Sequence, residues 1–564
     1  MLRLAKMTVG ALGSGAAARY EKRNAFGLYG SGVLYDTLSY GEFGRKFRQF
    51  AALLMDLGVR PGDRVLLLSE NRPEWPVAYF GIALAVAVSV PLLTEFSASQ
   101  VQIVAAHAGV SALCVTGKTA SKVPESPAAP PIIYIDSMET HSEANGEAAS
   151  KVAGNADGPL ADSIMVSRRG RRERIRLRDG SGDGGFPVFP DAGEEDMASI
   201  IYTSGTTGNS KGVMLSHYNL LYTACATRSI FKIYPRDRFL SIVPLAHTYE
   251  CTMGMLIAVL SGASTAYLDR PPAPAVLFSA AEALRPTVML TVPLIIEKLY
   301  RNRILPALQA NPLYRHPLTR SLAIQREGRK LFSVFGGAIR LFSIGGAPLA
   351  EDVEAFLRKV RFPYTLGYGM TEAAPLLAGT APFKFPPHSV GRTIRGVELR
   401  CDARGEIQAR GPNIMMGYFR DEERSAQSFT PDGWFKTGDL GVFDDRGCLY
   451  IKGRIKALIL GPSGENIYPE EIEKLLGASD IVEDALVYPG EKGELVALVV
   501  LSEKARTMLT AIGDRLGDLR NAVNKGLASF SRISRIEVRT EPFEKTATAK
   551  IKRFLYGREY YGRE

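Results

Sequence analysis

The sequence predicts an α/β protein: a large N-terminal domain of α/β subdomains that includes a small β-rich subdomain, followed by a small α+β C-terminal domain. Three observations carry that expectation. Strand-like apolar runs alternate with helix-period segments from Ser39 to about Phe385. From about Ser389 to Lys452 the segments become short, strand-like and turn-punctuated, as in GVELRCDARGEIQARGPNIMMGYF and DDRGCLYIKG. After Gly453 a new unit starts, with EEIEKLLG as a helix, DALVYPG and ELVALVVL as strands, and a helical stretch around Ala505 to Leu527. A chain of 564 residues exceeds one ordinary core, so residues 1–452 and 453–564 are taken as separate domains.

In chain order, MLRLAKMTVGALGSGAAARY has basic residues but no sustained apolar segment with a cleavage site, which argues against a secretory signal. Ser39 and Glu42 have capping-box spacing, and Phe43, Phe47, Phe50, Leu54 and Leu57 recur at helical intervals up to Gly58. RVLLLS, VSALCV and PIIYID read as strands. Val77 to Leu93 is nearly apolar, but Gly81, Ser89 and Pro91 interrupt it, so it reads as a buried helix running into a strand rather than a membrane span. Residues 137–195 are rich in Ala, Gly, Ser, Asp and Glu and read as a low-complexity surface insertion. It contains RRGRRERIRLR, with Arg168, Arg169, Arg171, Arg172, Arg174, Arg176 and Arg178. Such a run most often forms a solvated loop; contact with an anionic membrane is the alternative, and nucleic acid is not an expected partner.

Composition narrows the class. Apolar residues make up 46% and charged residues 23%, the balance of a globular enzyme. The net charge of +10 suits anionic ligands without choosing among them. The five cysteines show no C-x-x-C spacing, which argues against a disulfide framework and a zinc site. A reducing cytoplasm is the expected compartment, with peripheral attachment at the inner face of the membrane as an extension.

The most informative segment is IIYTSGTTGNSKGVMLSH, Ile200 to His217. A β-branched run leads into Thr203, Ser204, Gly205, Thr206, Thr207, Gly208 and then Lys211. Hydroxyls, glycine-freed amides and one cation are what phosphate oxygens need. It is not a Walker A loop, because Ser210 precedes the lysine and Gly212 follows it. A polar linker is the competing reading, weakened by the strand before and the helix-like stretch after.

This segment resembles the signature loop of the adenylate-forming superfamily, which includes acyl-CoA synthetases, peptide-synthetase adenylation domains and luciferases. PLAHTYE, SIGGAPL, LGYGMTEAAP, GWFKTGDLG, KGRIKALILGPSGENIYPEEIE and EKTATAKIKR follow in that family's order. Among its members the sequence most resembles bacterial long-chain fatty acid CoA ligases. The resemblance implies that a fatty acid and ATP form an acyl adenylate and pyrophosphate, and that coenzyme A then takes the acyl group. Delivery to an acyl carrier protein is the alternative, and a non-catalytic acyl-nucleotide sensor a more distant one.

The resemblance also assigns roles. Lys550 is the catalytic lysine, Thr371 meets the α-phosphate, and Glu372 holds Mg2+, a hard cation suited to carboxylate oxygen. Tyr368 and Gly369, with Gly346, Ala347 and Pro348, border adenine; Asp439 accepts from the ribose hydroxyls, and Arg454 approaches from the other side. His247 borders the acyl and thiol channels. Lys456 is the hinge about which the C-terminal domain moves, and Gly464, Glu465 and Asn466 contribute to the thiol face. Ala549 replaces the family's usual glycine before the lysine, Ser210 its usual proline, and Ala457 a frequent aspartate.

Overall fold

The computed structural model describes residues 2–126, 128–139, 162–178, 185–203, 211–460, 466–490, 494–506, 512–545, 551–553 and 555–556. Two nine-stranded sheets dominate the N-terminal domain. The first runs in space through Arg392–Thr393, Leu376–Gly379, Tyr364–Gly369, Leu341–Ile344, Val288–Thr291, Arg238–Leu240, Ser264–Leu268, Asn24–Gly30 and Val33–Ser39. The second runs through Gly417–Tyr418, Lys211–Ser216, Met197–Thr203, Val88–Leu92, Arg64–Leu68, Val110–Val115, Ile132–Glu139, Ser163–Arg168 and Arg171–Arg176. Both have parallel centres and antiparallel edges.

Parallel strands must be covered on both faces, which explains their continuous apolar runs. In Arg64–Leu68, Val65 and Leu67 enter one core while Leu66 and Leu68 enter another on the opposite face. The first of these cores also takes in helices Val9–Arg19, Tyr40–Asp56 and Glu74–Leu84. Ser39 and Glu42 close a capping box at the start of the second helix, as their spacing predicts. The helices approach closely where they carry glycine: a Cβ on Gly44 would lie 2.4 Å from the Ala17 Cβ. The apolar stretch from Val77 divides into helix Glu74–Leu84 and strand Val88–Leu92. Among the described residues no helix is long and apolar enough to cross a membrane.

The β-rich subdomain is a four-stranded antiparallel sheet of Glu398–Cys401, Glu406–Arg410, Phe435–Phe443 and Leu449–Arg454. Beyond it, strands Val482–Pro489, Leu495–Leu501 and Ile533–Arg539 form one sheet, with helices Pro469–Gly477 and Ile512–Lys525 packed around it. The helical stretch expected from Ala505 to Leu527 is described as two pieces, Glu503–Arg506 and Ile512–Lys525.

The 137–195 segment departs from expectation. Ser137 to Glu139 completes strand Ile132–Glu139, and Ser163–Arg168 with Arg171–Arg176 forms a hairpin that ends the second sheet. The arginine run therefore lies on an edge strand rather than in a loop. Ile164, Val166 and Leu177 are buried and Ile175 half-buried, a period-two signal that the surrounding polar composition dilutes. Arg169 and Gly170, at φ 51° and 77°, form the two-residue turn. Arg172 pairs with Glu125 at 2.7 Å and stacks over Tyr134, and Arg178 pairs with Asp56 at 2.6 Å.

Candidate active site

Strand Met197–Thr203 and strand Lys211–Ser216 are antiparallel, with Thr203 opposite Lys211, so the phosphate-type loop closes between paired ends. Ser204, Gly205, Thr206, Thr207 and Gly208 lie outside the described residues, as do Gly464, Glu465 and Lys550. At the loop's entrance the buried Thr203 hydroxyl has no partner among the described residues, an orphan donor suited to a phosphate oxygen.

Lys211, first on the returning strand, donates to Glu372 Oε1 at 2.9 Å and to Tyr418 Oη at 2.7 Å. The Tyr418 hydroxyl donates to the same Glu372 oxygen at 3.0 Å. Burial works against the Lys211 ammonium, but Glu372 and Tyr418 outweigh it and raise its pKa. Glu372 reaches this position through a tight reversal after strand Tyr364–Gly369. A Cβ on Gly369 would fall 1.8 Å from the Pro375 carbonyl oxygen, so only glycine permits the reversal. Thr371–Ala373 makes a 3₁₀ turn, and the Met415 amide donates to the Glu372 carbonyl at 2.9 Å. Asn413 Nδ2 adds bonds to the carbonyls of Ala373 and Leu376 at 3.0 and 2.8 Å.

Four residues before Glu372, the Tyr368 hydroxyl donates to Asp439 Oδ2 at 2.8 Å. Arg454 Nε lies 3.0 Å from Asp439 Oδ1, the two residues being directly opposite in the β-rich sheet. Asp439 raises the Arg454 pKa; burial first, and then Asp439, raise that of Tyr368. The Asp439 backbone is held by Thr437, whose hydroxyl accepts from the Asp439 amide at 3.1 Å and donates to the Ile407 carbonyl at 2.7 Å.

A third wall comes from the ends of two parallel strands. The Gly345 amide donates to the Thr291 carbonyl at 3.1 Å, and the Tyr249 ring packs 3.2 Å from where a Gly345 Cβ would stand. Gly346 adopts φ 86°, which leaves Gly346, Ala347 and Pro348 exposed. His247 is half-buried just ahead of the π-helical segment Tyr249–Leu256. Next to Tyr249, burial pushes the Glu250 carboxyl up to about 8, with the Ser241 hydroxyl only partly offsetting it. Its Oε2 has no partner among the described residues. Lys456 is exposed in the 3₁₀ turn Ile455–Ala457, and Asn466 pairs with Leu460 in a two-stranded ribbon.

The structure thus joins Lys211 to Glu372, and Tyr368 and Arg454 to Asp439, from segments scattered over the chain. Residues 15–419 of this chain match the family described as AMP-binding enzyme, and residues 457–561 match the AMP-binding enzyme C-terminal domain. The chain belongs to the AMP-binding enzyme family.

This AMP-binding enzyme is similar to a long-chain-fatty-acid–CoA ligase of Mycobacterium tuberculosis, 27% identical over 93% of this chain and 91% of the relative. It is also similar to the peroxisomal long chain acyl-CoA synthetase 6 of Arabidopsis thaliana, 27% identical over 87% of this chain and 72% of the relative. ATP-bound MatB from Rhodopseudomonas palustris shares the fold, with a TM-score of 0.73, 23% identity, and coverage of 98% of this chain and 99% of that one. Two side chains in the AMP-binding enzyme's site escaped sequence reasoning. Tyr418 sits on a two-residue strand too short to show a period, and Tyr249 is marked only by its place in PLAHTYE.

Proposed function

We propose that this enzyme is an acid–thiol ligase that activates a medium- or long-chain fatty acid with ATP and transfers it to coenzyme A. The reading is supported above all by the buried Lys211–Glu372–Tyr418 cluster beside the Tyr368–Asp439–Arg454 group. The names of the relatives supply the acyl and thiol substrates.

In the first step a carboxylate oxygen of the acid bonds to the α-phosphorus as the bond to pyrophosphate breaks. Negative charge converges there, so the site must supply cations and donors. Lys211 stands at the exit of the phosphate loop, and at its entrance is the Thr203 hydroxyl, which has no partner among the described residues. Asp439 accepts from the ribose while Tyr368 and Arg454 hold its two oxygens in place, and the exposed Gly346 to Pro348 backbone meets the base. Glu372 fits Mg2+, because both of its side-chain bonds fall on Oε1 and come from donors that a cation can replace. Bound there, Mg2+ would offset phosphate charge. In the second step the thiol sulfur attacks the acyl carbon and AMP leaves with its electron pair. Lys550 is proposed to serve adenylation, and its loss should slow that step at least ~10²-fold.

Product analysis tests this. Purified protein with fatty acid, ATP, Mg2+ and either coenzyme A or a carrier protein should yield AMP, pyrophosphate and an acyl thioester, with coenzyme A the better acceptor. Release of ADP and orthophosphate would exclude adenylate chemistry.

A further inference from the structure

The connection from strand Val288–Thr291 to strand Leu341–Ile344 is much longer than a single crossover helix requires. It carries Pro293–Leu299, the π-helical turn Tyr300–Ile304, Leu305–Ala310, Pro312–Arg315 and Arg320–Val334. Its inner face is anchored, with Ile304, Leu308, Ile324 and Leu331 buried in one core. Its outer tip presents Leu313, Leu318 and Leu322 at 45%, 85% and 65% exposure, and none of the three belongs to a core.

The tip is built to hold that shape. The Thr319 hydroxyl donates to the Leu313 carbonyl at 2.8 Å, the Arg320 amide to the His316 carbonyl at 2.9 Å, and Arg320 stacks on Tyr314. Between Glu297 and Glu327 the chain has no acidic residue, while Lys298, Arg301, Arg303, Arg315, Arg320 and Arg326 are cationic. Arg301 pairs with Asp352, but the other four arginines, all exposed, have no acidic partner among the described residues.

We propose that the tip formed by Leu313, Leu318 and Leu322, on a connection that carries these exposed arginines, docks the protein on an anionic lipid surface. Leucine side chains enter the boundary between headgroups and acyl chains, and guanidinium groups remain with the lipid phosphates above it. A second copy of the chain fits poorly, because pairing the tip with itself would set arginine against arginine. The arginine hairpin at the sheet edge is the weaker surface. Arg168, Arg172 and Arg178 already pair with Glu173, Glu125 and Asp56, and no large apolar side chain is exposed on it.

Co-sedimentation of the full chain with phosphatidylcholine vesicles, with and without about one-third phosphatidylglycerol, tests the proposal. Wild-type protein should bind the anionic vesicles and release as salt rises. Leu318→Glu with Leu322→Glu, and separately Arg315→Glu with Arg326→Glu, should each weaken binding at least ~10-fold. Both pairs are exposed, so thermal melting should remain wild-type. Arg169→Glu with Arg171→Glu, at the hairpin turn, should bind as wild type. The proposal is overturned if wild-type protein stays in the supernatant, if only the hairpin variant loses binding, or if the tip variants bind normally. It is equally overturned if the leucine variant turns a lipid-independent dimer into a monomer, which would assign the tip to a second copy.

Discussion

At Glu372 two donors meet one carboxylate oxygen, one from the strand that returns from the phosphate-type loop and one from strand Gly417–Tyr418 paired beside it. A hydrogen bond to a buried charge contributes about 1.5–3 kcal/mol, so losing one is felt as a factor of ten or more. Tyr418→Phe removes the acceptor that holds the Lys211 ammonium at 2.7 Å and should lower the rate of pyrophosphate release about 10-fold, and Lys211→Ala by more, since it removes the cation itself. Equal activity of Tyr418→Phe and wild type would show that Tyr418 is only packing. Glu250 gives a second residue-scale expectation. Its carboxyl is raised from 4.5 to about 8. Below about 4.5 both folded and unfolded chains hold the proton; between there and about 8 only the folded chain keeps it, and folded stability falls as pH rises. The slope is about 1.4 kcal/mol per pH unit for one proton. Glu250→Gln, neutral throughout, should match wild type near pH 5 and gain relative stability toward pH 8, as read from urea midpoints at each pH. The Glu372 and Asp439 positions were legible because flanking motifs name them; Tyr418 and the buried Glu250 were not, since partnering and burial are properties of the folded chain.

Lys456 lies in the turn Ile455–Ala457 between the β-rich sheet and the C-terminal domain. A swing about it has to break contacts the structure shows: Lys474 to Glu351 at 3.3 Å and Arg301 to the Ala478 carbonyl at 3.1 Å. Both are exposed and so individually weak, which suits a joint that opens. Lys456→Pro, by fixing φ, should leave adenylation intact and slow transfer to coenzyme A, while Lys550→Ala should do the reverse with preformed acyl adenylate. Single-turnover assays of each half-reaction separate the two, and equal loss of both steps in both variants would refute the hinge. The strands of the arginine hairpin were hidden because the four apolar positions of one face, Ile164, Val166, Ile175 and Leu177, sit among arginine and serine, and only pairing with Ile132–Glu139 reveals the period. Deleting it would uncover a sheet edge, so charge reversal at its exposed turn is the cleaner probe.

Across the whole molecule, core residues divide cleanly. Three cores draw on buried residues up to Leu449, and three others begin at Ile459. Among the described residues no buried cluster crosses the boundary, so the two parts should unfold as separate cooperative units, the smaller first. Both tryptophans, Trp75 and Trp434, lie in the larger part. Urea unfolding should accordingly show one transition by tryptophan fluorescence and an earlier additional one by circular dichroism. ATP with Mg2+ should shift the fluorescence transition to higher urea. Coincident single transitions by both probes would show that the interdomain contacts couple the cores.

The α/β class, the β-rich subdomain and the C-terminal unit were all legible in the order of residues along the chain. Each of these is written in local order: apolar period, turn residues, and glycines such as Gly369 that only one backbone path can use. The tertiary structure alone decided which side chains meet. Lys211, Glu372 and Tyr418 are separated by up to 207 residues yet converge on one hydroxyl and one carboxylate oxygen. It also decided which apolar side chains of one connection are buried: Ile304, Leu308 and Ile324 enter a core, while Leu313, Leu318 and Leu322 stay exposed. Burial and partnership depend on contacts between distant segments, and no local pattern contains them.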